Sequence, residues 1–126
     1  MASAIPSRHV LIVEDDEDAR ETLSELISSY NHHTLAAANA AEALERARSC
    51  HPDVALIDLG LPLVDGCELA RQLRDLLGEP RRPATRLVAL TGHSDRETRS
   101  SATAAGFDAY LVKPVKPAAL EDLLRA

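Results

Sequence analysis

The sequence predicts an α/β fold built on a doubly wound, five-stranded parallel sheet with helices on both faces. Three observations carry this. Short apolar runs recur along the chain, and four of them stop at a polar residue: Leu11-Ile12-Val13 at Glu14, Val54-Ala55-Leu56-Ile57 at Asp58, Leu87-Val88-Ala89-Leu90 at Thr91, and Ala109-Tyr110-Leu111-Val112 at Lys113. The runs are continuously apolar instead of alternating, as parallel strands covered on both faces are. Between them lie segments with helical spacing, so strands and helices alternate.

Taken in order, residues 1–7 read as a flexible start and 8–126 as one domain. His9 to Val13 is the first strand. Ala19, Leu23, Leu26, Ile27 and Tyr30 form one helical stripe, and Asp16, Glu17 and Asp18 crowd its first turn, where the helix dipole favours acids. Asn31-His32-His33 breaks the pattern, with both histidines expected in an exposed turn. Thr34 to Ala38 reads as a short second strand. Asn39 is expected to cap the second helix, with Glu42 as its reciprocal partner. Leu44 and Ala47, joined by Ala40 and Ala43, make its inner stripe, and His51-Pro52 ends it. The third strand runs to Asp58.

A third helix is expected from about Asp65, through Leu69, Leu73, Leu76 and Leu77, to Gly78 as C-cap. Residues 79–85 read as an exposed connector, with Arg81-Arg82 a small solvated basic spot. The fourth strand is Leu87 to Leu90. Asp95 to Ala105 is a helix with few large apolar residues, closed by Gly106. The last strand is Asp108 to Val112. Pro117 is placed to open a final helix carrying Leu120, Leu123 and Leu124.

At 126 residues the chain is one domain with a real core. Aromatic residues are only 2%, so the core is aliphatic and no aromatic platform exists for stacking nucleic-acid bases. Twenty acids against 14 bases give a net charge of -6, which argues against direct nucleic-acid binding. Cys50 and Cys67 are too few for a disulfide framework and read as reduced, semi-buried residues. No apolar run approaches membrane-spanning length, so no membrane contact and a cytoplasmic location are expected.

The strand ends carry the chemistry. In open parallel sheets, sites lie beyond the carboxyl ends of the strands. Glu14, Asp15 and Asp58 there supply hard oxygen ligands of the kind a divalent cation takes. A carboxylate such as Asp58 can also attack phosphorus and carry a phosphoryl group. The hydroxyl of Thr91 and the ammonium of Lys113 can each bond a phosphoryl oxygen. Taken singly, each of these residues has an ordinary explanation, such as an acidic helix start or a solvated lysine. Together at one rim they suit a cation and a phosphoryl group held side by side.

Val13-Glu14-Asp15-Asp16, Asp58-Leu59-Gly60-Leu61-Pro62 with Asp65-Gly66, Leu90-Thr91-Gly92, and Ala109-Tyr110-Leu111-Val112-Lys113-Pro114 follow one another in order and at strand ends. In this the chain resembles the receiver domain of two-component response regulators, from about residue 8 to its end. The resemblance implies a flavodoxin-like sheet in the order 2-1-3-4-5. It implies that Asp58 is the phosphoacceptor, served by a histidine kinase or a histidine phosphotransfer protein. It implies Mg²⁺, with Mn²⁺ as a substitute, held by Asp15, Asp58 and the Gly60 carbonyl, and by Glu14 directly or through water. Thr91 and Lys113 would hold the phosphoryl oxygens. Thr91 and Tyr110 would move on phosphorylation and change how a downstream protein partner is bound. A cis Lys113–Pro114 bond and a monomer or weak dimer are also implied. Such a domain is a signalling switch that assists its own phosphorylation and hydrolysis, not a metabolic enzyme.

Glu14 stands where many members of that family have aspartate, which leaves metal binding intact. Gly60 and His93 occupy positions that flank the phosphate and would set its lifetime. The ending from Ala105 to Leu120 is similar to receivers attached to hybrid histidine kinases. The rival readings are a pseudo-receiver that only binds proteins, an aspartate-dependent phosphatase, and a flavin-binding protein. A dehalogenase-type phosphatase needs a second acid where Gly60 stands. The flavin reading needs a phosphate loop that the sequence lacks.

Overall fold

The computed structural model describes residues 7–61, 64–77, 85–92 and 96–125. Five strands, β1 (His9–Val13), β2 (His33–Ala37), β3 (Val54–Asp58), β4 (Arg86–Thr91) and β5 (Ala109–Val112), alternate with five helices. The helices are α1 (Glu17–Ser29), α2 (Ala40–Cys50), α3 (Gly66–Leu77), α4 (Arg96–Ala105) and α5 (Pro117–Arg125). All strand pairs are parallel, in the order β2-β1-β3-β4-β5, as expected.

Alternation along β1 splits the core in two. Leu11 and Val13 join Ala43, Ala47, Leu69, Leu73, Ala102 and Ala105 beneath α2, α3 and α4. Val10 and Ile12 join Leu23, Ile27, Leu120 and Leu124 beneath α1 and α5. Every residue of β3 is buried, which is why its sequence reads as an unbroken apolar run.

Several local expectations need correction. His32 is not an exposed turn residue: it is 7% exposed, and its Nδ1 accepts the backbone N–H of Arg8 at 3.0 Å. Only His33 is exposed, and it opens β2 one residue earlier than expected. The Asn39 cap is present, with Oδ1 accepting from Glu42 N–H at 2.9 Å. The return bond is displaced, because Glu42 Oε1 accepts from Ala38 N–H at 2.8 Å instead of from Asn39. The expected inner stripe of α2 is present, with Ala40, Ala43 and Ala47 buried and Leu44 partly buried against the same core. Cys50 is exposed and Cys67 half-buried.

Gly106 ends α4 with φ 100° and Pro117 opens α5, as expected. Asp108 lies just before β5, not in it, and its Oδ2 accepts from Leu87 N–H at 2.8 Å and Arg74 Nη2 at 3.0 Å. The Lys113–Pro114 peptide is cis. The expectations for residues 1–6, Pro62, Gly78, 79–84 (with Arg81-Arg82), and His93 to Asp95 fall outside the described residues.

Candidate functional site

β1, β3, β4 and β5 all release their last residue at one edge, and that edge gathers the polar residues the strands end on. Glu14 follows β1 directly and is 1% exposed; its backbone N–H donates to Ala37 O at 3.1 Å. Asp58, the last residue of β3, is 8% exposed. Asp58 Oδ1 accepts from the backbone N–H of Gly60 at 2.9 Å. Lys113 follows β5, and its N–H donates to Thr91 O at 2.7 Å, which ties the ends of β4 and β5 together.

The Lys113 ammonium bridges the two buried acids. Its Nζ lies 2.7 Å from Glu14 Oε1 and 3.3 Å from Asp58 Oδ2. Burial pushes the Glu14 carboxyl above its ordinary range; the Lys113 bond opposes this and nearby Asp58 adds to it. Burial alone would lower Lys113, but the bond from Glu14 and the charge of Asp58 outweigh it and hold the ammonium above its ordinary value. Two carboxylates close together in a partly dry site repel each other, and one lysine offsets only part of that.

Asp15 is exposed beside them. One oxygen from each of Glu14, Asp15 and Asp58 lies within 4.8 Å of the others. Three hard oxygen donors in that span, in excess of the local positive charge, suit Mg²⁺, which takes carboxylates at roughly 2.0–2.1 Å and keeps several waters. The donor set therefore fits the metal that the resemblance implies.

The remaining site residues sit as follows. Thr91 ends β4 and is 5% exposed. Tyr110 pairs with Ala89 across β4 and β5, which puts its side chain on the same sheet face as that of Thr91. Tyr110 is 37% exposed, with the Arg99 guanidinium 5.9 Å from its ring centre. Gly60 adjoins Asp58 through its N–H, and His93 lies outside the described residues.

Two contributors were not legible as such. A Cβ on Gly66 would stand 2.6 Å from the Asp58 carbonyl oxygen and 2.8 Å from Leu59 Cα, so glycine is required where α3 starts against the end of β3. The Asp65-Gly66 pair was visible, but not this contact. Arg20 Nη1 donates to Glu14 O at 2.9 Å and fixes the turn after β1; a single arginine in a helix gives no sequence signal for that. Beside the carboxylates opens a recess of about 360 Å³, lined by Glu14, Asp16, Leu23, Leu26, Lys113 and Pro114 among others.

Among the described residues, no helix is long and apolar enough to cross a membrane. The chain is 35% identical over 117 residues to the two-component response regulator PhoP of Pseudomonas aeruginosa; the match takes 93% of this chain and 50% of that protein, so the chain spans half of its relative's length. The receiver domain of the response regulator Ssk1, solved with the histidine phosphotransfer protein Ypd1 of Saccharomyces cerevisiae, is a similar structure. It has a TM-score of 0.88 and 27% identity over 97% of this chain and 89% of that one. The receiver domain of a Pseudomonas aeruginosa sensor histidine kinase, solved with magnesium coordinated in its active-site cleft, has a TM-score of 0.81 and 28% identity. That match covers 94% of this chain and 95% of the other. The response regulator receiver domain family matches residues 10–125, and the chain belongs to that family, the receiver module of two-component signalling.

Proposed function

We propose that Asp58 is the phosphoacceptor of this receiver and that its neighbours carry the transfer. The observation that supports this most is the Lys113 bridge: one ammonium contacts both Glu14 and Asp58, with Asp15 alongside. An Asp58 oxygen attacks phosphorus, a P–O bond forms, and the P–N bond to a donor histidine breaks, its electron pair staying on the imidazole. Lys113 neutralises charge on the equatorial oxygens, and the Thr91 hydroxyl donates to another of them. Asp15, Asp58 and the Gly60 carbonyl, with Glu14 directly or through water, would hold Mg²⁺, or Mn²⁺ in its place. Such an ion, when bound, would supply charge stabilisation for the phosphoryl oxygens. The donor is a histidine kinase or a histidine phosphotransfer protein, in keeping with the partner of the Ssk1 receiver.

The same residues assist hydrolysis of the acyl phosphate. Gly60 leaves room for the attacking water and His93 shields or orients it. The output is a change in the surface of α4, β5 and α5, through Thr91 and Tyr110, that alters binding of a downstream protein. The domain works in the cytoplasm as a monomer or weak dimer, as a switch and not as a metabolic enzyme, within the segment 8–126. The test is intact mass after incubation with acetyl phosphate and Mg²⁺. One added phosphoryl group, absent without metal and in Asp58→Ala, is expected. A gain that persists in Asp58→Ala contradicts the assignment.

A further inference from the structure

Arg20 grips the turn that carries two of the three clustered acids. It is the fourth residue of α1 and is half-buried. Its Nη1 donates to Glu14 O at 2.9 Å and, more weakly, to Asp15 O at 3.4 Å. Its backbone N–H donates to Asp16 O at 2.9 Å. One residue thus meets three successive carbonyls. Each peptide unit is planar, and the carbonyls of Glu14 and Asp15 belong to the two planes that flank the Asp15 Cα. Holding both planes fixes the direction in which the Asp15 side chain leaves the backbone.

Asp15 depends on this support more than its neighbours do. The buried carboxylates of Glu14 and Asp58 both touch the Lys113 ammonium, and Glu14 Oε2 also accepts from Asp16 N–H at 3.2 Å. Asp15 is exposed, and among the described residues its carboxylate accepts no hydrogen bond and enters no ion pair. Nor does Arg20 form an ion pair among the described residues. An arginine paired with Asp15 would compete with a cation for it. One bound to main-chain oxygens leaves the carboxylate open.

We propose that Arg20 is a positioning residue for the acidic cluster, holding Asp15 within reach of Glu14 and Asp58 and so raising the affinity for Mg²⁺. The inference rests on the reading of that cluster as the Mg²⁺ site. Groups that orient metal ligands are typically worth about 10–100-fold in affinity, and support given through the backbone belongs at the low end. The charge of Arg20 acts the other way, because a guanidinium near the site repels a metal cation. Positioning and charge therefore predict opposite signs when Arg20 is removed.

The test is calorimetric titration of Mg²⁺ into the full chain and its variants. Arg20→Met keeps an apolar stem and loses the donors, and its dissociation constant should rise about tenfold. Arg20→Lys keeps the charge but loses the planar fork, and should weaken binding by about threefold or more. Arg86 Nη1 makes a bond of the same kind, to Leu123 O at 3.0 Å, from the start of β4 at the far edge of the sheet. Arg86→Met should bind Mg²⁺ as the wild type does. Acetyl phosphate labelling of Arg20→Met should need about tenfold more Mg²⁺ and approach the wild-type rate at saturation. Unfolding curves without Mg²⁺ establish that the variants fold; if Arg20→Met does not, Arg20→Lys decides alone. Unchanged or tighter binding in the Arg20 variants overturns the proposal, and so does equal weakening in Arg86→Met. No Mg²⁺ binding by the wild type overturns the metal reading, and the proposal with it.

Discussion

Single residues decide how close β3 and its neighbours can approach. Gly66 has no space for a side chain, since a Cβ would press on the Asp58 carbonyl at 2.6 Å. Gly66→Ala is therefore expected to destabilise the fold by about 1–3 kcal/mol, as overpacking does, and to slow phosphorylation; urea unfolding reads the first effect. Gly60 differs: its added Cβ would meet Asp58 Oδ1 at an ordinary 3.5 Å. Gly60→Asn should fold normally, which makes it a clean variant for measuring acyl-phosphate lifetime. His32 gives a pH prediction. Burial, then the nearby charges of Arg8 and His33, lower its pKa. Below roughly pH 6.5 the unfolded chain then binds a proton that the folded chain does not. Stability present above that pH is lost as pH falls toward the folded-state value. His32→Asn keeps an acceptor for the Arg8 N–H and does not titrate there. Its stability should decline less between pH 6.5 and 5; an identical decline would contradict the account.

Elements were legible where residue type and period agree. Asn39 reads as an N-cap and acts as one, and Pro117 opens α5. β3 and β4 are visible because burial on both faces leaves no polar residue inside them. The start of β2 was less legible, because a histidine buried by one hydrogen bond looks like any polar turn residue. The inner stripe of α2 was legible: Ala40, Ala43 and Ala47 are buried, and Leu44 packs against the same core at its partly exposed margin. The end of α2 carries a testable cost. His51 takes the left-handed conformation, φ 43°, and its Nε2 is buried with no hydrogen-bond partner among the described residues. Glycine is the usual residue at such a helix end. The left-handed conformation costs a residue with a Cβ roughly 1–2 kcal/mol, and the unfolded-state freedom of glycine takes back roughly 0.5–1 kcal/mol, so His51→Gly is expected to raise stability by at most about 1 kcal/mol in thermal unfolding.

At the scale of the molecule, the parallel sheet turns scattered sequence motifs into one site. Glu14 and Lys113 are 99 positions apart and meet at 2.7 Å because β1 and β5 end at the same edge. That the motifs converge was legible from their shared place at strand ends. The pairing of Lys113 with Glu14 in preference to Asp58 was not, because both acids are equally available in sequence and only the packing of β1 decides. An excess of acid at that edge would couple binding of a cation there to folding. Mg²⁺ at 100 times its dissociation constant should stabilise the domain by about 2.7 kcal/mol, and Asp15→Ala should lose most of that gain. Denaturant curves with and without Mg²⁺ measure it.

The most direct test of the account is chemical mapping of the phosphorylated residue. The chain is labelled with acetyl phosphate and Mg²⁺, reduced with borohydride, which converts an aspartyl phosphate to homoserine, and sequenced by peptide mass spectrometry. The account predicts homoserine at position 58 alone, and none without metal. Homoserine at Asp15 or Asp16, or label on another residue type with Asp58 intact, would contradict it.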